Sequence, residues 1–335
     1  MISQATSQLL LRKNLGASDM QAVMEEIMSG KAETAQIVSF LTALSDKGET
    51  VDEITSAVSV MRGFATKISV NKEVILDTCG TGGDKKGTFN VSTIVAFVAS
   101  GAGITVAKHG NRSVSSQSGS ADILETLGVN INMNPGQIKR CLEEIGIAFL
   151  FAPNFHPAMK YAMAARKQIG KRTVFNILGP LTNPAGATHQ LVGVFDSHWT
   201  QILAQVLANL GAVHAMVVHG QDGLDEITTT SATSVCEVTK GRLRNYEIRA
   251  QDFGLKKARL EDLTGGSAGD NAKILLEVLN GREGFARDIT LLNAACALYV
   301  ADKVVSIEEG MELARLSIDS KKALEKLGLL KEYSQ

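Results

Sequence analysis

The sequence predicts an α/β protein: a small all-helical N-terminal domain followed by a larger domain with a mainly parallel central sheet flanked by helices. Three observations carry this. The first seventy residues show helical patterning and no strand, whereas from about Val74 short Val- and Ile-rich runs alternate with helical stretches. A chain of 335 residues exceeds one small core and suits two domains or one large α/β unit. The expected division is 1–70 for the helical part, joined by a helical segment near 155–185, and 71–335 for the α/β part.

In the N-terminal part, Ser18-x-x-Gln21 and Thr50-x-x-Glu53 both have capping-box spacing, a hydroxyl acceptor with a second acceptor three residues on. Between them Ile37, Phe40, Leu41 and Leu44 fall on one helical face. Beyond Val74 the runs "EVILDT", "GITVAKHG", "HQLVGVFD" and "VHAMVVHG" read as buried parallel strands. Several end in glycine or a polar loop, where open α/β sheets bind ligands. The stretch from Asn154 to Arg172 reads as helix again and is expected to pack back on the N-terminal helices. No internal repeat or low-complexity tract interrupts the chain.

Composition narrows the function. Hydrophobic residues make up 44% of the chain, yet the apolar runs fall short of a membrane span. The N-terminal "MISQATSQLLLRKNLG" places its charges after a three-Leu run, unlike a signal peptide. With 34 basic and 35 acidic residues the net charge is −1, which argues against a nucleic-acid binder. Cys79, Cys141, Cys236 and Cys296 show no paired spacing, so neither zinc nor a disulfide framework is expected, and a reducing cytoplasm is.

The densest chemical signal is "DTCGTGGDKKGTFNVST" at Asp77–Thr93. A dinucleotide GxGxxG would need glycine where Lys85 stands, and no Walker register exists. The physical recipe for an anion site is nevertheless present. A strand end leads into glycines that let backbone N–H groups approach a ligand. Ser92 and Thr93 then stand where "NVSTIVAFVASGAG" opens as a helix, whose unpaired N–H groups and positive dipole end face the loop. The glycine cluster alone reads equally well as a turn before a helix. In "AKHGNRSVSSQSGSADILETLG" the arrangement recurs: a strand ends at Lys108, a polar loop follows, and Ser118-Gly119-Ser120 opens a helix with Ile123, Leu124 and Leu127 on one face. Two helix N-termini with Lys108 and Arg112 would cradle two separate anionic groups, as in a ligand with phosphate at each end.

Five motifs occur in order: GTGGD, TFNVST, AKHGNRSVSSQSGSAD, RTVFNILGPLTNP and DGLDE. Together they resemble the anthranilate phosphoribosyltransferase family, and the likeness extends from "AQIVSFLTALSDKGET" to "RDITLLNAACALYVADK". The resemblance implies the fold shared with nucleoside phosphorylases. It implies transfer of the phosphoribosyl group of 5-phosphoribosyl 1-pyrophosphate (PRPP) to the amine of anthranilate, with release of pyrophosphate, in tryptophan biosynthesis.

By the same resemblance Gly80, Gly83 and Asp84 bind the pyrophosphate-ribose part of the donor, with Thr88 near its phosphates and Asn90, Val91, Ser92 and Thr93 continuing the site. Lys108, His109, Gly110, Asn111, Arg112, Ser113, Val114, Ser115 and Ser116, with Ser120 beyond, hold its other groups, including the 5-phosphate. Anthranilate is matched by Gly80, Asn111 and Arg166. Asp225 and Glu226 form an acidic pair that in isolation reads as a surface turn. The resemblance implies that they hold Mg²⁺, two ions per subunit, together with the Ser92 hydroxyl.

Catalysis is then expected to be electrostatic and positional, through Ser92, Lys108, Asp225 and Glu226, with no covalent nucleophile. His156 is expected to pack near the acceptor site, and His109 has no neighbour spaced for a catalytic dyad. Lys85 departs from the family, which carries glycine or a small residue there. The family also implies a homodimer through the helical domain and no nucleic-acid or membrane partner. Two alternatives stand beside this reading. A pyrimidine nucleoside phosphorylase would carry a KxSGR-type segment in place of KHGNR and would lack GSAD. A non-catalytic nucleic-acid-binding relative would show a basic stripe and lose part of the Asn111, Arg166, Asp225 and Glu226 set.

Overall fold

The computed structural model describes residues 1–113 and 117–335, so the expected donor contacts at Val114, Ser115 and Ser116 lie outside the described residues. Four helices open the chain: α1 (Ile2–Leu10), α2 (Ala17–Met28), α3 (Thr34–Lys47) and α4 (Val51–Phe64). The Thr50–Glu53 capping box forms, with Glu53 N donating to Thr50 Oγ1 at 3.3 Å and Thr50 N to Glu53 Oε2 at 2.8 Å. That carboxylate also accepts from Leu15 N at 2.9 Å and from the buried Lys47 Nζ at 2.8 Å, joining α3 to α4.

The Ser18–Gln21 box does not form. Helix α2 begins at Ala17 with Gly16 as its cap, which puts Ser18 inside the first turn. Leu15 and Met20, either side of that start, are both buried in one apolar cluster, a staple that with the Glu53 bond to Leu15 N fixes the entry point.

The remainder alternates strand and helix: β1 (Leu76–Gly80), α5 (Val91–Gly101), β2 (Val106–Gly110), α6 (Ser120–Thr126), α7 (Pro135–Arg140), β3 (Ile147–Phe151), α8 (Ala152–Phe155), α9 (Lys160–Ile169), α10 (Phe175–Leu178), β4 (His189–Gly193), α11 (His198–Asn209) and β5 (His214–Gly220). There follow β6 (Ala232–Thr239), β7 (Arg242–Arg249), α12 (Ala268–Leu279), α13 (Phe285–Val300), α14 (Ile307–Asp319) and α15 (Lys322–Tyr333). The sheet order is β3-β2-β1-β4-β5-β6-β7. The first five are parallel, while β6 and β7 run antiparallel as a hairpin. Lys240 and Gly241 both have positive φ at that hairpin's two-residue turn, matching the right-handed twist of its strands.

Because the chain leaves β1 for β2 and β3 on one side and returns to β4 on the other, the topological switch lies between β1 and β4. That is the crevice where open α/β sheets place ligands. Helix α5 is apolar all round and buried along its length, as its sequence requires of a helix sunk in a core. Its N-terminus therefore opens into that crevice from the interior of the protein.

The segment expected to be helical over 154–172 is broken into α8, a 3₁₀ turn at Pro157–Met159, and α9, which packs against α2 and α3. One apolar cluster runs from the N-terminal helices through α9 and α10 to the sheet face covered by α11, and a second fills the opposite face around α5 and α13. Among the described residues no helix is long and apolar enough to cross a membrane, and all four cysteines are free and buried.

Candidate active site

Gly80 ends β1 and Gly193 ends β4, side by side at the switch point. The acid loop between β5 and β6 descends onto both. A Cβ at Gly193 would lie 1.6 Å from the Asp225 carbonyl oxygen, and one at Gly80 would lie 3.1 Å from Asp225 Oδ2. Only glycine at 193 allows the acid loop to reach the glycine loop after β1.

Three elements converge there. The Gly82 N–H faces the Asp225 carboxylate and the Ser92 N–H, in the first turn of α5, faces Glu226, each favouring the charged acid. Asn90 caps α5: its Oδ1 accepts from Thr93 N at 3.0 Å and from Ser92 Oγ at 3.3 Å. Lys108, buried on β2, donates through Nζ to the Thr78 carbonyl at 2.6 Å and to Ser92 Oγ at 3.0 Å.

The charges are not balanced. Burial, reinforced by Asp84, pushes the Asp225 carboxyl up to about 7. Burial and then Asp225 push Glu226 well above its ordinary range, and Lys108 offsets part of this. Asp84 Oδ2 is buried and accepts no hydrogen bond. Among the described residues no group of three or more His, Cys, Asp or Glu could hold a metal ion by itself. Two acids, an unpartnered carboxylate oxygen and the Ser92 hydroxyl form an all-oxygen set. Such a set suits a hard cation that completes its shell from substrate phosphates and water.

Val91 is the first residue of α5 and is fully buried, while Thr88 bridges to Thr264 across the lip of the glycine loop. At the second junction α6 is capped by Gly119, with Asp122 Oδ2 accepting from Gly119 N at 2.8 Å and Ser113 N at 3.3 Å. Ser120 Oγ donates to the Asn111 carbonyl at 3.3 Å, closing the loop after Gly110. Arg112 differs from its expected place as a free cation of the cradle. Its guanidinium is bound by Asp122 at 2.7 Å and Glu125 at 2.8 Å.

The His109 and His156 rings lie 5.1 Å apart, tilted at 53°. Burial holds both imidazoles low, His109 at about 3 and His156 at about 4, so both are neutral. A ring N–H of each meets a backbone carbonyl, Gly179 or Thr182, and both Nε2 atoms are left without a partner. Arg166 on α9 is half-buried with its guanidinium carbon 5.6 Å from the Phe175 ring centre, and among the described residues it has no carboxylate partner. An unpaired guanidinium at such a position suits a carboxylate ligand. Lys85 is exposed, with φ 60°, and Lys86 Nζ would lie 3.0 Å from a Cβ at Gly223, so the glycine loop also touches the acid loop's outer turn.

Three supporting residues escape sequence reasoning. Asp77, fully buried in β1, accepts from His109 N at 3.1 Å and Asn183 Nδ2 at 2.8 Å. Burial raises it to about 6 against the pull of Lys108. Its signal was a lone acid inside the apolar run "VILDT". Asn271 accepts from Asn90 N at 3.0 Å and donates to Ser118 Oγ at 3.0 Å, tying both helix junctions to α12, and nothing local marks it. Arg172 belongs to the RTVFN motif, which carried the resemblance without a role for that residue.

The chain matches two family models, "Glycosyl transferase family, helical bundle domain" over residues 3–65 and "Glycosyl transferase family, a/b domain" over residues 72–324. An anthranilate phosphoribosyltransferase of Acetivibrio thermocellus is 54% identical over all of this chain and 97% of its own length. One of Alkaliphilus metalliredigens is 52% identical, covering 100% and 99%. The crystal structure of the anthranilate phosphoribosyltransferase from Thermus thermophilus superposes with a TM-score of 0.93 at 41% identity, over 98% of this chain and 99% of that one. The Saccharomyces cerevisiae enzyme in complex with PRPP and Mg gives 0.91 at 29% identity, over 99% and 97%.

Proposed function

The chain belongs to the anthranilate phosphoribosyltransferase family and is a glycosyltransferase that moves the phosphoribosyl group of PRPP onto the amine of anthranilate; from that premise we propose how its residues divide the work. The observation that carries the division is the meeting of the glycine loop, the α5 N-terminus and the acids Asp225 and Glu226 at the β1–β4 switch point.

Gly80, Gly83, Asp84 and Thr88 receive the pyrophosphate end of the donor, and the α5 start at Asn90–Thr93 continues that site with helix N–H groups. The loop from Lys108 with Ser120 receives the 5-phosphate end. Ser92, Asp225 and Glu226 would hold Mg²⁺, and two ions per subunit are proposed; the yeast relative is described in complex with PRPP and Mg. When bound, Mg²⁺ supplies positive charge beside the departing pyrophosphate oxygens. Lys108 keeps the Ser92 hydroxyl oriented from below and lends charge to Glu226.

Anthranilate is oriented through its carboxylate by Arg166 and Asn111, with Gly80 leaving room beside them; a 4-fluoroanthranilate complex of the yeast relative supports an acceptor pocket in this fold. The aromatic amine is neutral at pH 7 and attacks the anomeric carbon directly as the pyrophosphate bond breaks, with inversion. The proton released from nitrogen passes to the departing pyrophosphate or to water, because burial holds His109 and His156 low and makes both imidazoles poor bases. No covalent intermediate is invoked, since the four cysteine thiols are buried and pushed up by burial.

Anthranilate fluorescence is expected to fall when protein, PRPP and Mg²⁺ are combined and to persist when any one is omitted. Consumption without Mg²⁺ would remove the metal role. Arg166→Ala is expected to raise the anthranilate KM about ten- to a hundredfold, the worth of a charge-assisted contact, with kcat at saturation nearly unchanged. A fall in kcat with KM unchanged would refute the carboxylate anchor.

We propose the division at 70/71, between the end of α4 at Phe64 and the start of β1 at Leu76, and the helical part as the dimer contact, where Leu10 and Leu11 at the end of α1 are exposed. Light scattering of the purified chain at twice the monomer mass would agree with this.

A further inference from the structure

The glycine loop from Thr81 to Gly87 has little structure of its own, since Gly82, Gly83, Lys85 and Gly87 all have φ between 60° and 82°. Its ends are fastened: Thr81 N donates to the Gly193 carbonyl at 2.9 Å, Phe195 N to Thr81 Oγ1 at 3.1 Å, and Gly265 N to the Gly87 carbonyl at 2.8 Å. Between those ends the Gly82 N–H faces Asp225, and a further side chain, from the acceptor side of the site, takes hold. The Arg172 guanidinium donates through an Nη atom to the Gly83 carbonyl, and its carbon lies 3.7 Å from the centre of the Phe195 ring. Arg172 follows α9, the helix of Arg166, after the left-handed cap Gly170.

We propose that Arg172 is a positioning residue for the donor site: stacked on Phe195 and bound to Gly83, it holds the glycine loop in the shape that receives pyrophosphate. The proposal rests on the division of roles given above. Its physical basis is population. A loop with several left-handed residues samples many shapes, and a ligand that binds one of them sees its affinity reduced by the fraction in which that shape occurs. A guanidinium suits this task because its planar face stacks while its edge donates, which an ammonium cannot do together. Once donor is bound the loop is ordered by the ligand, so the clamp acts on KM and not on the chemical step.

The test compares wild type with Arg172→Ala, Arg172→Lys, Phe195→Leu and the Arg172→Ala, Phe195→Leu double variant, each shown to be folded by its thermal transition. Steady-state rates are taken with PRPP varied at saturating anthranilate and Mg²⁺. Arg172→Ala is expected to raise the PRPP KM about tenfold with kcat held within about threefold. Arg172→Lys is expected not to restore KM. Phe195→Leu is expected to act in the same direction, with the double variant no worse than Arg172→Ala, because both remove one clamp. Hydrogen exchange at residues 81–87 without donor should be faster in Arg172→Ala. Restoration by lysine would mean that charge alone matters and would overturn the proposal, as would strict additivity or an unchanged KM. A wild-type protein that fails to consume anthranilate would instead defeat the functional reading, leaving the exchange measurement to judge the clamp alone.

Discussion

Replacing Asp225 and Glu226 together with alanine is expected to lower kcat about a hundred- to a thousandfold and to flatten the dependence of rate on Mg²⁺, with a small effect on the anthranilate KM. The size follows from the chemistry. Anthranilate already carries a neutral nucleophile, so the barrier lies in the charge that gathers on the departing pyrophosphate. Removing an oriented group that meets such charge costs about 3–4 kcal/mol. A variant with normal turnover and an unchanged Mg²⁺ titration would dismiss these acids from the mechanism.

The same acids make a second, opposite prediction for stability. Asp225 is raised from 3.8 to about 7 by burial first and by Asp84 next. Between those values the folded protein binds a proton that the unfolded chain releases, so this group favours folding below about 4, and its contribution is lost as the pH rises through about 7. Without metal, Asp225→Asn is therefore expected to raise the melting temperature at pH 8 by about 3 °C and to do so much less at pH 4. Equal shifts at both pH values would show that the charge is not the cause. A site that weakens the empty protein and is relieved by its ligand is how a binding site for a cation differs from a structural ion pair.

The sequence made this site legible where the chemistry is contiguous. A phosphate cradle needs a strand end, a few glycines and a helix start in one short stretch, and the two stretches at Asp77–Thr93 and Lys108–Leu127 have that grammar and form those junctions. Asp225 and Glu226 carry no such local grammar; only resemblance distinguishes them from a surface turn, and their role depends on Gly193, a residue in another strand. Asn271 and Arg172 stand beyond local reading altogether, because what they do is join segments distant in the chain.

The fold shows the same division. Four strands announce themselves as apolar runs, but the β6–β7 hairpin has an outer strand of alternating charge (RLRNYEIR), which fits an edge and gives a weaker signal. At α2 local capping preference pointed to Ser18. Burial of Leu15 and Met20, with the distant Glu53 holding Leu15 N, overrode it.

Substituting Lys108 tests the other half of the electrostatics. Its ammonium is buried, burial lowers its pKa, and Asp77, Cys79 and Glu226 oppose that shift. Its bonds to the Thr78 carbonyl and Ser92 Oγ lie beneath the place where phosphate is expected. If Lys108 acted only as a phosphate ligand, Lys108→Met would raise the PRPP KM and leave the free protein as stable as before. Its position predicts more. Without the ammonium, Asp77 and Glu226 remain buried with no cation against them, and breaking a buried charge cluster by removing one partner costs about 3–5 kcal/mol. Lys108→Met is therefore expected to lower both stability and kcat. Adding Asp77→Asn is expected to return part of the stability, since the amide oxygen can still accept from His109 N while the unpaired charge is shed, less the bond from Asn183 Nδ2 that the amide nitrogen cannot accept, and to leave kcat low because Ser92 stays unoriented. Lys108→Met with unchanged stability would assign the residue to substrate alone, and recovery of both properties by Asp77→Asn would mean that its charge, and not its hold on Ser92, serves catalysis.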